Sequence, residues 1–273
     1  LLTGMSSPSE QGLGDPLPWS LIAAALIVFA TWAWWELRAS NPAVDLRMLT
    51  SPALAPLYIV GFLFGFVLFG FQTPLATFAA SHPDTDGYGL GFTTFSLSLI
   101  IATFTVLTAI GSATVNALTR RLGTKSVLVF AAALSAAGFG FFALQHAEKW
   151  HLLTMAVLAG IGMGLLMGTL PALIAEEAPA DSTAIATGVY NSLRTLGGAV
   201  AGAGFSIILI LFAQSSSGNP GDGYTMIWTI AAGAFTVAAI VLALSKTTKI
   251  PRPLLPPTPT GTVPLLKPAP RER

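Results

Sequence analysis

Seven apolar stretches, none holding an Asp, Glu, Lys or His, leave this chain little choice of fold. They run Trp19–Trp35, Leu54–Ala80, Thr93–Ala117, Ser126–Leu144, Leu152–Ala175, Ala184–Ala213 and Tyr224–Leu244. A hydrocarbon core about 30 Å thick takes roughly 20 helical residues, so the first stretch is marginal and the other six suffice. Backbone groups in lipid must be paired internally, and the 3.6-residue recurrence of small and large side chains favours helices over barrel strands. Charged residues make up only 9% of the chain, against roughly 25% in a soluble domain. The expected fold is an all-α integral membrane protein with seven transmembrane helices.

Orientation follows from the basic residues. If the spans alternate and the C-terminus is cytoplasmic, 11 of the 13 Lys and Arg lie in inner segments. Only Lys149 lies outside, and Arg194 is the one charge within a span. Lys/Arg bias in short loops sets topology, whereas acidic residues such as Glu176, Glu177 and Asp181 weigh little. The chain is expected to cross a plasma membrane several times, N-terminus out and C-terminus in.

The absences exclude several functions. Without cysteine there is no disulfide and no thiolate ligand. His82, His146 and His151 fall in outer loops, too scattered for a metal site. No acid or base is embedded, so the chain is read as no enzyme, with no cofactor and no metal; its partners are expected to include the bilayer but no nucleic acid. It opens Leu1-Leu2 without an initiating Met or a basic n-region, and the start is read as a cut end rather than a signal peptide.

The chain divides into an outer loop segment (1–18), a linker helix (19–35), a cytoplasmic linker (36–53), a six-helix unit (54–246) and a tail (247–273). Trp32, Trp34 and Trp35 suit the aromatic belt at the inner interface, with packing as the other reading. The tail carries eight prolines among basic residues and is expected to be disordered.

An internal echo links two spans of the six-helix unit. Gly61, Gly65, Gly70 and Pro74 in one recur as Gly160, Gly164, Gly168 and Pro171 three spans later. Three is odd, so the copies run in opposite directions, the mark of inverted three-helix repeats. Both prolines are expected to kink their helices.

These residues carry a family resemblance. Gly188, Asn191, Arg194, Gly197, Gly198 and Gly202, after Leu170–Pro179, resemble the late part of a fourteen-helix drug:proton antiporter of the major facilitator superfamily. Glu36–Leu49 is similar to the linker entering that family's C-terminal bundle, and Asp86–Phe92 to an outer loop of actinobacterial members. The resemblance covers about residues 17 to 246 and implies a bacterial exporter of small amphipathic molecules. This chain would supply the linker helix and C-terminal half-bundle, partnered by an absent N-terminal half that holds the proton-coupling groups. Asn116–Lys125 resembles the superfamily's basic loop, with Arg121, Gly123 and Lys125 fitting and Arg120 replacing the usual aspartate. Gating and a plain orientation signal both remain open for it.

The same resemblance makes the second and fifth spans line the cavity, with the third and sixth facing the missing half. Gln72, Thr73 and Thr77 beside Pro74, with Met163, Met167 and Thr169, are the candidate substrate contacts. Phe62, Phe66 and Phe69 share a helical face that suits either ligand or packing. Arg194, with Asn191 one turn away, either pairs with carbonyls or a partner on the missing half, or snorkels to the inner interface. Two other functions compete: a non-transporting half-bundle, and a seven-helix receptor, which lacks an embedded lysine for a retinal Schiff base and cysteines for an outer disulfide.

Overall fold

The computed structural model describes residues 27, 31, 50–179, 182–214 and 219–245. Most of the Trp19–Trp35 span, the tryptophan belt, most of the linker and all of the tail lie outside the described residues. Within them the chain is helical: α1 (Ala55–Gly70), α2 (Gln72–Ala80), α3 (Pro83–Asp86), α4 (Thr94–Leu122), α5 (Thr124–Leu144), α6 (Lys149–Glu177), α7 (Thr183–Gln214) and α8 (Pro220–Leu244). Six membrane-length apolar spans result, with α1 and α2 together making the first.

Each boundary has a local cause. Pro74 has no N–H to give the Gly70 carbonyl, and the span breaks between α1 and α2 at Phe71. Phe71 keeps helical angles and still donates its N–H to the Val67 carbonyl at 3.1 Å, so the break is small. The second proline leaves its helix continuous. Pro171 lies inside α6, which runs unbroken from Lys149 to Glu177; membrane helices tolerate such prolines where neighbours and local adjustment re-satisfy the freed carbonyl. Thr93 caps α4 by accepting from the Ser96 N–H, and Gly123, at φ +80°, makes the turn from α4 into α5.

The helices are apolar all round, so packing is decided by which backbones can approach. The α1–α7 and α4–α6 pairs are the intimate parallel crossings, and α5 joins α6 to α8. In the first crossing Gly61 faces the Tyr190 ring, Gly65 faces the Arg194 carbonyl, Gly197 faces the Phe62 carbonyl, and Gly198 faces Phe69. In the second, Gly160 faces Phe104, Gly164 the Thr108 carbonyl, Gly111 the Ile161 carbonyl, and Gly168 Ser112. Adding 99 to the α1 numbers and subtracting 86 from the α7 numbers turns the first set into the second. Four matched contacts establish two inverted three-helix repeats in one register. That register pairs Gly61 with Gly160 and Gly65 with Gly164, but Gly70 with Thr169 and Gln72 with Pro171.

Burial is uneven. In α4 and α7, 11% and 17% of the most apolar window is enclosed, against 33–61% in the other four spans. These two helices present long unpartnered faces, with Phe95, Leu99, Val106 and Ile110 on one and Leu196, Val200, Ile210 and Leu211 on the other. The α4–α5 turn carries Arg120, Arg121 and Lys125 and defines the basic end of the bundle; the loop around Tyr88 lies at the opposite end.

Candidate functional site

Gln72 is the one predicted polar contact that borders a defined cavity. That cavity, about 270 Å³, lies in the half of the bundle away from the basic end, between the α1–α2 break, the first half of α4 and the start of α6. Phe71, Leu75, Leu97, Ile100, Phe104 and Met155 make most of its wall, and Gln72, Thr105 and Thr108 are its polar members. Both threonine hydroxyls donate to carbonyls of their own helix, at 2.9 Å each, and the Gln72 amide donates to the Leu68 carbonyl at 3.0 Å. The Gln72 carbonyl oxygen and the lone pairs of the two hydroxyls remain free of these bonds. The site suits an apolar body with few polar groups.

The other predicted contacts scatter. Thr73 and Thr77 are exposed on the same helix outside the cavity, and the Thr77 hydroxyl donates to the Thr73 carbonyl. Met163 and Thr169 are corrections to the expected wall: they are 0% and 2% exposed, inside the bundle. The middle of α6 is gripped on both sides, by α4 at Gly164 and by α5 at Gly162, which turns Met163 inward. Met167, one turn on, is exposed. Phe62 and Phe66 are half-buried beside α7 and Phe69 is exposed, and Phe66 meets the buried Phe205 edge-to-face at 5.3 Å.

Arg194 sits within the helix crossing. Its backbone abuts Gly65, ten residues into α1, and its guanidinium lies 5.2 Å from the Phe64 ring and 5.3 Å from the Phe69 ring. Cation–π contact of this kind stabilises a desolvated cation. Tyr190, one turn earlier, is 1% exposed, and its hydroxyl lies beside the guanidinium. Neither that hydroxyl nor Arg194 Nε makes a well-formed hydrogen bond. Asn191 is exposed on the same helix. Sequence reasoning missed Tyr190 because an aromatic in an apolar span carries no signal until its neighbour is known.

At the basic end, Arg121 is exposed while Lys125 is engaged. Lys125 Nζ donates to the Ser245 carbonyl at 2.6 Å, capping the C-terminus of α8. At the other end, His151 departs from the expected outer loop, while His146 lies in the loop between α5 and α6 but is half-buried. His151 is 7% exposed in the first turn of α6, where its Nδ1 accepts the Glu148 N–H. His146 packs among Phe78, Phe142 and Thr225.

Inverted repeats, parallel glycine crossings and an apolar cavity describe a membrane carrier, and comparison with known proteins gives its family. The Major Facilitator Superfamily model matches residues 16–202 and again 90–267. The chain belongs to the Major Facilitator Superfamily, whose members here are transporters and not enzymes. It is 25% identical over 273 residues to the cephamycin export protein CmcT of Amycolatopsis lactamdurans, covering 96% of this chain and 52% of that one. It is 24% identical over 189 residues to the methylenomycin A resistance protein of Streptomyces coelicolor, covering 68% and 38%. An uncharacterized transporter of the superfamily, YfiU of Bacillus subtilis, is 26% identical over 68% of this chain and 35% of its own. The chain thus spans about half the length of these relatives or less. A crystal structure of the nucleoside transporter NupG (D323A mutant) shares the fold, with a TM-score of 0.59 and 18% identity over 72% of this chain and 49% of that one. This is a multi-pass membrane protein of a transporter family.

Proposed function

We propose that this chain is the C-terminal half of a bacterial exporter that moves small amphipathic molecules across the plasma membrane by alternating access, in exchange for protons. The observation that carries this reading is the apolar cavity set beside one of two symmetry-related helix crossings. A guest held between two inverted repeats is exposed to either side as the repeats rock. The open faces of α4 and α7 are where an N-terminal six-helix half docks, with Asn191 and Arg194 on the seam and Arg121 and Gly123 at its basic edge. The basic end is cytoplasmic by the Lys/Arg distribution. Gln72 and the apolar wall receive the substrate, and Thr73, Thr77 and Met167 line the path from the cavity. Relatives named for antibiotic export and resistance support the substrate class. No carboxylate lies in the apolar stretches, so proton coupling belongs to the other half.

The test is accumulation of a lipophilic dye in cells. Expression of this chain behind a seven-helix N-terminal part, a six-helix bundle and one further linker helix, should lower accumulation, and Gln72→Leu should weaken that effect. Unchanged accumulation with a correctly inserted fusion would leave a non-transporting half-bundle as the better reading.

A further inference from the structure

We infer that Arg194 and Tyr190 form a subsite for the carboxylate of a small amphipathic molecule; the inference rests on the transporter reading above. Three observations converge on it. The Tyr190 hydroxyl and Arg194 Nε are both buried and neither makes a well-formed hydrogen bond, although they lie side by side. Arg194 as a whole is half-buried, and a buried polar atom without a partner costs about 1–3 kcal/mol. Among the described residues no carboxylate pairs with Arg194, and the apolar stretches contain none. Thr183, the first residue of α7, is about 16 Å along the helix from Arg194 at roughly 1.5 Å per residue, and Glu176 and Glu177 belong to the preceding helix.

The geometry states what is missing. A carboxylate brings two acceptor oxygens in one plane: one accepts from the guanidinium, the other from the Tyr190 hydroxyl. A single Arg neutralises a single negative charge, whereas a phosphate dianion would leave one uncompensated. The rings of Phe64 and Phe69 flank the guanidinium and give the rest of the molecule an apolar wall. Phe69 is 45% exposed and Asn191 is exposed, which fixes the side of entry.

The repeat sharpens the argument. The register that relates the two crossings puts Phe104 and Thr108 where Tyr190 and Arg194 stand. Those two residues line the apolar cavity, and the Thr108 hydroxyl is already bonded to the Phe104 carbonyl. One scaffold position is therefore neutral and satisfied at one end, cationic and unsatisfied at the other. The preference for a carboxylate belongs to the basic end alone.

The experiment compares two probes on this chain in lipid nanodiscs at neutral pH, pyrenebutyrate and its methyl ester. The carboxylate should bind at least about tenfold more tightly than the ester. Arg194→Gln should erase that preference and Tyr190→Phe should reduce it severalfold, both leaving the affinity for the ester unchanged, which also certifies the fold. Equal affinities in the unaltered chain, no measurable binding of either probe, or a preference that survives Arg194→Gln would overturn the subsite. The wild-type comparison stands even if a variant fails to fold. Failure here leaves the exporter reading intact, because that reading is judged by dye accumulation.

Discussion

Gly65 shows how much a single position decides. A methyl group there would run into the Arg194 carbonyl, a backbone atom that cannot swing aside. Gly188 and Gly202, on the partner helix, face open space. Gly65→Ala is therefore expected to destabilise the bundle by about 1–3 kcal/mol, while Gly188→Ala and Gly202→Ala should be neutral or gain up to about 1 kcal/mol from helix propensity. Thermal unfolding in detergent reads the difference, and equal shifts for all three would mean that the crossing is looser than described. Arg194 is argued differently, because its value is chemical. In the complete exporter Arg194→Ala should lower export at least about tenfold with insertion intact, and Arg194→Lys should restore only part, since a point charge cannot replace a planar fork. Full export by the alanine variant would reduce Arg194 to an interfacial anchor.

Among the elements, α6 and the α4–α5 turn show what a sequence of this kind conceals. Six of the spans were legible to within a few residues, because hydropathy alone marks a lipid-crossing helix. Gly61, Gly65, Gly160 and Gly164 also announced the repeat, since close backbone approach needs glycine at four-residue steps. The faces were not legible. A helix apolar all round has no polar stripe to mark its outside, so Met163 and Met167 read as one face although the first is enclosed and the second exposed. Pro74 and Pro171 read as equivalent for a similar reason, yet the register pairs Pro171 with Gln72. The role of Lys125 was hidden because its partner, Ser245, lies 120 residues on. Lys125→Met is expected to cost about 1 kcal/mol of stability, as the charge at a helix C-terminus and its carbonyl bond are lost, with export in the complete protein kept within about twofold. A collapse of export at unchanged stability would return Lys125 to a gating role.

For the whole molecule, the open faces of α4 and α7 and the one-sided distribution of Lys and Arg are the features with consequences. Cysteines introduced at Asp84 and Thr124 should label from opposite sides of the membrane, Asp84 from outside; labelling of both from one side would overturn the assigned orientation. The central claim is that this chain carries the substrate half of a transporter and not its proton step, because no carboxylate lies in its apolar stretches and His151 is held in a cap. The most direct measurement is dye efflux from vesicles under an imposed proton gradient, with this chain alone and with the chain joined to a seven-helix N-terminal part. The account predicts gradient-dependent efflux from the joined protein only. Gradient-dependent efflux by this chain alone would contradict it, placing the coupling group among the residues described above.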